Sequence, residues 1–137
     1  MKVLTFRLGQ FAVIALLLTV LFRYVLHLCV GMEGAVEPIL CAVVYFCLMF
    51  LLGWYLGEKD HTENDIHDIG FRFHLTTYII CIGLAYVAYY IGWGTGNVNS
   101  ITITSICWGI GLFIHFVFFL IEQKKTIKGY AKEELFQ

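Results

Sequence analysis

Four long apolar runs, separated by short polar segments, restrict the folds open to this chain of 137 residues. A helix that crosses the hydrocarbon core of a bilayer needs roughly 20 predominantly apolar residues. Apolar residues fill each run continuously instead of lying on one helical face, which indicates burial in lipid. The runs predict an all-α integral membrane protein with four transmembrane helices. The predicted spans are residues 8–30, 39–56, 71–93 and 101–121.

Composition excludes two broad classes of protein. Hydrophobic residues make up 60% of the chain and charged residues only 14%, which leaves too little charged surface for a soluble domain. The formal net charge of -1 gives no basic field that would attract nucleic acid. We therefore expect the lipid bilayer as a partner, no nucleic acid partner, and a single membrane domain over residues 1–137.

The distribution of Lys and Arg predicts the orientation of the helices. Apart from Arg23 within the first span, these residues lie near the N-terminus, in or beside the acidic segment 57–70, and in the tail 122–137. The two short turns, residues 31–38 and 94–100, contain neither. Cytoplasmic loops carry the excess of Lys and Arg, so both termini and the acidic segment are predicted to be cytoplasmic. The short turns then predict two antiparallel hairpins.

Small residues on the last two spans predict how these helices pack. Membrane helices have no hydrophobic driving force between them, so they associate through small and polar side chains. Cys81 and Ala85 lie at helical spacing on the third span, and Gly109 and Gly111 allow close approach to the fourth. Together with Trp108, these residues are the predicted helix-packing positions, and they predict tight contact between helices three and four.

Arg23 and His27 form an intramembrane polar pair on the first span. They are four residues apart, so they share one face of the helix near its outer end. One interpretation is that both side chains extend to the outer interface and pair with Glu33 or Glu37. The other is an anion or proton site that faces the interior of the bundle, because ionisable residues are costly within a membrane.

His74 and His115 are the candidate cofactor-binding residues. Both are predicted to lie in the inner half of the membrane, on antiparallel neighbours. Two neutral imidazoles there can ligate haem or a metal, or contact a quinone. Their depths are predicted to differ by about two turns, which argues against a shared haem iron. In the alternative interpretation, His115 hydrogen-bonds a neighbouring helix and His74 lies in the headgroup region.

The segment 57–70 combines carboxylates and imidazoles, side chains that can bind divalent cations. Its spacing matches no EF-hand. The five cysteines lie within apolar runs and lack the spacing of a metal site or a disulfide framework. We therefore predict a solvated acidic loop and no metal site.

Two blocks of sequence in the second half resemble the bacterial two-transmembrane domain family. Residues 71–78 read F-R-F-H-L-T-T-Y, and residues 107–115 read C-W-G-I-G-L-F-I-H. The family pattern is F-x-x-H-L-x-x-Y followed, after a short outer turn, by W-G-I-G-L-x-x-H. The resemblance covers residues 69–122, and the first two spans form an added N-terminal hairpin. It implies a membrane module that occurs alone or joined to histidine kinases, without implying a ligand. The matching positions include His74, Trp108, Gly109, Gly111 and His115.

The motifs of common enzyme classes are missing from the sequence. It contains no GxSxG, no HExxH and no glycine loop in a phosphate-binding context. The leading prediction is a small non-enzymatic bacterial inner-membrane protein. It would be an accessory or sensor-like module that acts through self-association, as a homo-oligomer, or through a membrane-protein partner, and it would need no cofactor.

Two alternatives belong to other functional classes. The first is a redox protein that binds haem, a metal or a quinone through His74 and His115. The second is a subunit of an oligomeric pore or transporter, whose path polar side chains would line. The residues considered for that path are Arg23, His27, Thr102, Thr104 and Ser105.

Overall fold

Four α-helices occupy almost all of the residues that the computed structural model describes, namely 4–29, 36–64, 70–93 and 97–133. They are α1 (Phe6–Cys29), α2 (Val36–Asn64), α3 (Gly70–Tyr90) and α4 (Val98–Glu133). Each helix contains a stretch that is long and apolar enough to cross a membrane. The predicted architecture of four apolar helices compatible with a membrane bundle is thereby confirmed.

The helix ends follow from local sequence. Pro38 lies in the first turn of α2, where its missing N–H removes no intrahelical hydrogen bond. Beyond the end of α3, Gly92 adopts a positive φ of 70°. The Trp93 amide then donates to the Ala88 carbonyl at 2.8 Å, and the Gly92 amide donates to the Tyr89 carbonyl at 3.2 Å. These two bonds form a Schellman motif, in which glycine accepts the left-handed backbone without strain.

The acidic segment after the second span is helical as far as Asn64, so the prediction of a loop over these residues was wrong. The sequence predicted that the second span ends at residue 56 and that 57–70 form a solvated loop, whereas α2 continues to Asn64. No proline interrupts the chain there, and the helical spacing lets Asn64 Nδ2 donate to Asp60 Oδ1 at 3.0 Å. Asp60 is fully buried, so this part of the segment is not a solvated loop. Similarly, α4 continues to Glu133, roughly three turns past the predicted end of the span.

Helix α1 is the centre of a three-helix unit, which we define as α1, α2 and α3. It packs against both of the others, whereas α4 packs only against α3 among the described residues. The buried apolar core belongs to the three-helix unit. Ala15 on α1 is completely buried, and the Phe11 ring lies 4.8 Å from the Phe73 ring, centroid to centroid. The core residues are Leu8, Phe11, Ala15, Leu56 and Phe73.

A polar trio of Thr19, Tyr45 and Cys81 joins the same three helices within their apolar stretches. The Thr19 hydroxyl donates to the Ala15 carbonyl at 2.7 Å, and it lies 2.8 Å from the Tyr45 hydroxyl. With its own proton committed, Thr19 accepts from Tyr45. The Tyr45 oxygen in turn lies 3.1 Å from Cys81 Sγ and accepts from that thiol. The trio therefore satisfies these polar groups where no water is available.

Aromatic and hydroxyl side chains form the contact between α3 and α4. The Tyr78 hydroxyl donates to the Ser105 carbonyl at 3.2 Å and lies 2.9 Å from Ser105 Oγ. Phe71 stacks on Phe119 with ring centroids 5.6 Å apart. Gly109 lies against the Tyr78 ring, since a Cβ atom there would lie 3.5 Å from the Tyr78 hydroxyl.

Candidate functional site

A groove with a cavity volume of about 420 Å³ lies between α2 and α3, above a floor supplied by α1. Its walls are mainly aromatic. Phe11 and Phe73, which are almost completely buried, lie deep in the groove, whereas Trp54 and Phe50 are exposed. Gly53 lines the groove on the α2 side, where a Cβ atom would lie 3.8 Å from the Phe11 ring. The volume falls within the range of small-molecule sites.

The polar side chains of this α2–α3 groove come from one end of the two helices. They are Glu58, His61, His74 and Thr77. Glu58 and His61 lie on the last two turns of α2, and His74 and Thr77 lie on the first two turns of α3. The groove is therefore aromatic along most of its length and polar at one end. It would suit a ligand that has an apolar body and a polar head.

Two ion pairs fasten the helices beside this polar end, which we call the charged end of the unit. Asp60 accepts from Arg72 Nη2 at 2.8 Å, and both side chains are shielded from solvent. Arg7 binds Glu63 through two hydrogen bonds, of which the one from Nε is 2.9 Å long. The first pair joins α2 to α3, and the second joins α1 to α2. Together they hold in register the turns that carry the polar groups of the groove.

His74 connects the groove to α4. Its ring lies 5.0 Å from the His115 ring, centroid to centroid, with the planes inclined at 31°. The structure thus brings together the two histidines that the sequence placed about two turns apart in depth. His74 lines the groove, and His115 does not. The side chain of His74 is therefore shared between the groove and the α3–α4 contact.

The histidine geometry does not fit a shared haem. Two axial histidines lie on opposite faces of a porphyrin, which must pass between them. His74 and His115 are instead at the distance of rings in mutual contact, so no macrocycle fits between them. Among the residues whose placement is described, no group of three or more His, Cys, Asp or Glu side chains is arranged to hold a metal ion.

The polar pair on α1 divides between two environments. Arg23 is half-buried and close enough to Tyr45 and Cys81 for electrostatic interaction, whereas His27 is exposed. Arg23 therefore faces the polar trio. This is the direction expected of Arg23 if the polar pair forms a site inside the bundle. Of its two expected partners, Glu33 lies outside the described residues, and no ion pair joins Arg23 to Glu37. One carboxylate oxygen of Glu37 is buried without a hydrogen-bond partner in the described part of the chain.

The predicted packing residues fall into two sets. Trp108 lies edge-on to Tyr78 at 5.9 Å, and Gly109 lies against the same ring, so both contribute to the α3–α4 contact. Cys81 instead contacts α1 and α2, which corrects the expectation that its stripe faces α4. Ala85 is buried on the helical face that carries Cys81. Gly111 is exposed, and a Cβ atom there would meet no side chain within 4 Å.

The sequence interpretation missed the groove and the ion pairs. A signal for the groove existed on α2, where aromatic and then polar residues recur at spacings of four, four and three. It became hidden once the helix was predicted to end at residue 56. The residues of this stripe are Phe50, Trp54, Glu58 and His61.

Comparison with known proteins found no matching family model, no matching curated protein and no matching solved structure. The resemblance of residues 69–122 to the two-transmembrane domain family stays a prediction.

Proposed function

We propose that this chain is a small non-enzymatic protein of the bacterial inner membrane that works as a sensor-like module. Its ligand is an amphipathic molecule that enters the α2–α3 groove from the lipid. One observation carries the proposal, namely a groove of about 420 Å³ with aromatic walls and with its carboxylate and imidazoles gathered at one end. Such a division matches a molecule with an apolar body and a polar head.

The charged end of the bundle is proposed to face the cytoplasm, together with both termini. Arg7, Lys59 and Arg72 lie at this end, whereas the turns 31–38 and 94–100 contain no Lys or Arg. Side-chain contacts support two antiparallel hairpins. Arg7 meets Glu63 and Thr19 meets Tyr45 in the first. Phe71 meets Phe119 and Tyr78 meets Ser105 in the second. In this orientation the polar end of the groove opens at the inner interface, where lipid-soluble molecules place their heads.

Native mass spectrometry of the full chain, extracted with its surrounding lipid by a polymer, tests the proposed ligand site. The wild-type protein should retain an amphipathic adduct after the bulk lipid is removed. Gly53→Leu should lose it, because the leucine side chain occupies the groove. Gly83→Leu is the matched control, since Gly83 is exposed on α3 and a Cβ atom there meets nothing within 4 Å. Equal retention by both variants would contradict the proposal.

Self-association through α4 is a second candidate, and it would supply the output of a sensor. None of the stretch Val98–Ile121 is buried within the chain. The side of α4 that is turned away from α3 includes Thr104, Cys107 and Gly111, residue types that membrane helices favour at their contacts. We propose that a second copy of the chain packs on this side.

Cysteine cross-linking in membranes tests this second candidate. Cys107 on α4 and Cys47 on α2 are both exposed, so variants that retain only one of them form a matched pair. A short bis-maleimide should link copies through Cys107 and not through Cys47. Linking through neither, or through both equally, would contradict an interface on α4.

A further inference from the structure

The charges around the α2–α3 groove restrict the head of its ligand. Among the residues that the structure describes, the lining contains one carboxylate, Glu58, two imidazoles, His61 and His74, and no Lys or Arg. Arg72, the nearby cation on α3, is hydrogen-bonded to the buried Asp60. A phosphate or carboxylate head would lie beside the like charge of Glu58, with no Lys or Arg in the described lining to offset the repulsion. An uncharged head is therefore favoured over an anionic one.

The walls of the groove restrict the shape of that head. Phe11 and Phe73 present rings at the floor, and Trp54 stands at the rim. Aromatic side chains favour stacked or edge-on contact with another ring, beyond the area that the contact buries. A flat ring therefore uses these walls better than a flexible acyl chain does.

The polar end supplies both kinds of hydrogen-bonding group. A neutral imidazole has one donor and one acceptor nitrogen, and an ionised carboxylate only accepts. His74 can donate to a ring carbonyl, and Glu58 or the His74 imidazole can accept from a ring hydroxyl. The same site can thus hold a ring with two polar oxygens whether these are carbonyls or hydroxyls.

We propose that the ligand of the groove belongs to the quinone–quinol class, an uncharged ring with two polar oxygens and a long apolar tail. The ring lies between Trp54 and Phe73 with one oxygen at His74, and the tail leaves the groove past Met49 and Phe50 into the lipid. This inference rests on the proposed function, since it names the class of molecule that the same groove binds.

Fluorescence of Trp54 provides the test, because quinones quench indole emission at contact distance. The reporter protein carries Trp93→Phe and Trp108→Phe, which leave Trp54 as its single tryptophan. The probe is a benzoquinone with a ten-carbon tail, titrated into the protein in lipid nanodiscs. Quenching should saturate, and the apparent affinity should fall by about tenfold in Glu58→Leu and in His74→Leu, because each removes a hydrogen-bonding partner. Glu58 is exposed, so its variant should fold even if the His74 variant does not.

Two controls separate the possible failures. Gly53→Leu should abolish saturable quenching, whereas Gly83→Leu should leave it unchanged. Non-saturating quenching that is equal in all variants overturns the quinone inference. If a co-purified adduct is still lost in Gly53→Leu, the groove binds another amphiphile and the proposed function stands. If no adduct depends on Gly53 either, both proposals fail.

Discussion

The three-helix unit and α4 are held in place by different kinds of contact. The three-helix unit has a buried apolar core, a buried ion pair between Asp60 and Arg72, and the polar trio centred on Tyr45. Helix α4 has no buried residue in its apolar stretch and rests on α3 through aromatic rings and the hydroxyls of Tyr78 and Tyr86. Because the buried contacts of the described residues all lie among α1, α2 and α3, we infer that these helices specify the fold. Helix α4 is attached to α3 along one side. His74 belongs to both regions, since it lines the α2–α3 groove and contacts His115 on α4.

The largest expected effect comes from breaking the three-helix unit at its buried charge. Asp60→Leu removes the buried carboxylate that accepts from Arg72, and breaking a buried ion pair by removing one partner costs about 3 kcal/mol or more. Unfolding of the purified protein in mixed micelles should shift by this amount. Glu58→Leu, an exposed carboxylate two residues earlier, should leave the unfolding curve nearly unchanged. If the two variants were equally stable, the buried ion pair would not be a main support of the unit.

Removing the hydroxyl at the centre of the polar trio should have the next largest effect. Tyr45→Phe keeps the ring that stacks on Phe22 at 4.3 Å but loses the hydroxyl between Thr19 and Cys81. The expected cost is about 1 kcal/mol, typical of a hydrogen bond between membrane helices. The same unfolding assay measures it. Tyr55→Phe, at an exposed position on the same helix, is the control and should cost less.

A smaller and more local effect is expected where α4 meets α3. Tyr78→Phe removes the hydrogen bonds to Ser105 and should cost about 0.6 kcal/mol. Hydrogen–deuterium exchange should accelerate along α4 and stay unchanged in α1 and α2. Tyr90→Phe, at an exposed position on α3, should change neither region. Faster exchange throughout the chain would show that α4 unfolds cooperatively with the three-helix unit, so the two regions would not differ in stability.

The smallest effect is expected at the exposed ion pair between α1 and α2. Arg7→Gln removes the two hydrogen bonds to Glu63, but water and salt already screen this pair. Stability should change little at high salt and measurably only at low salt. A loss that is large and independent of salt would place this pair among the main supports of the three-helix unit.

Hydropathy was sufficient to predict the four helices but not their arrangement. Long apolar runs specify spanning helices whatever their neighbours are, which is why these elements were predicted correctly. The end of α2 was not, because polarity alone does not separate a loop from a helix that leaves the membrane. Asp60 looked solvated until its position against Arg72 on another helix was known. The positions of charged residues along the sequence therefore did not show which of them are buried.

The candidate site was predictable only in part for the same reason. His74 and His115 could be placed on neighbouring helices at the same side of the membrane, and the structure brings their rings together. The groove depends on the rotation of α2 and α3 about their axes, which spacing within each helix does not determine. Cys81 shows the point, since its small-residue stripe was expected to meet α4 but faces α1 and α2.

An electron cryo-microscopy map of the protein in its native lipid would show directly whether the α2–α3 groove holds an amphipathic ligand. If the groove binds a quinone, elongated density should fill it, with the head between His74 and Glu58 and the tail leading past Phe50 into the bilayer. His115 should contact His74 on the α4 side. Two results would contradict the proposed ligand site. In the first, α2 and α3 close the groove against each other. In the second, the groove holds only lipid tails that continue into the annular lipid.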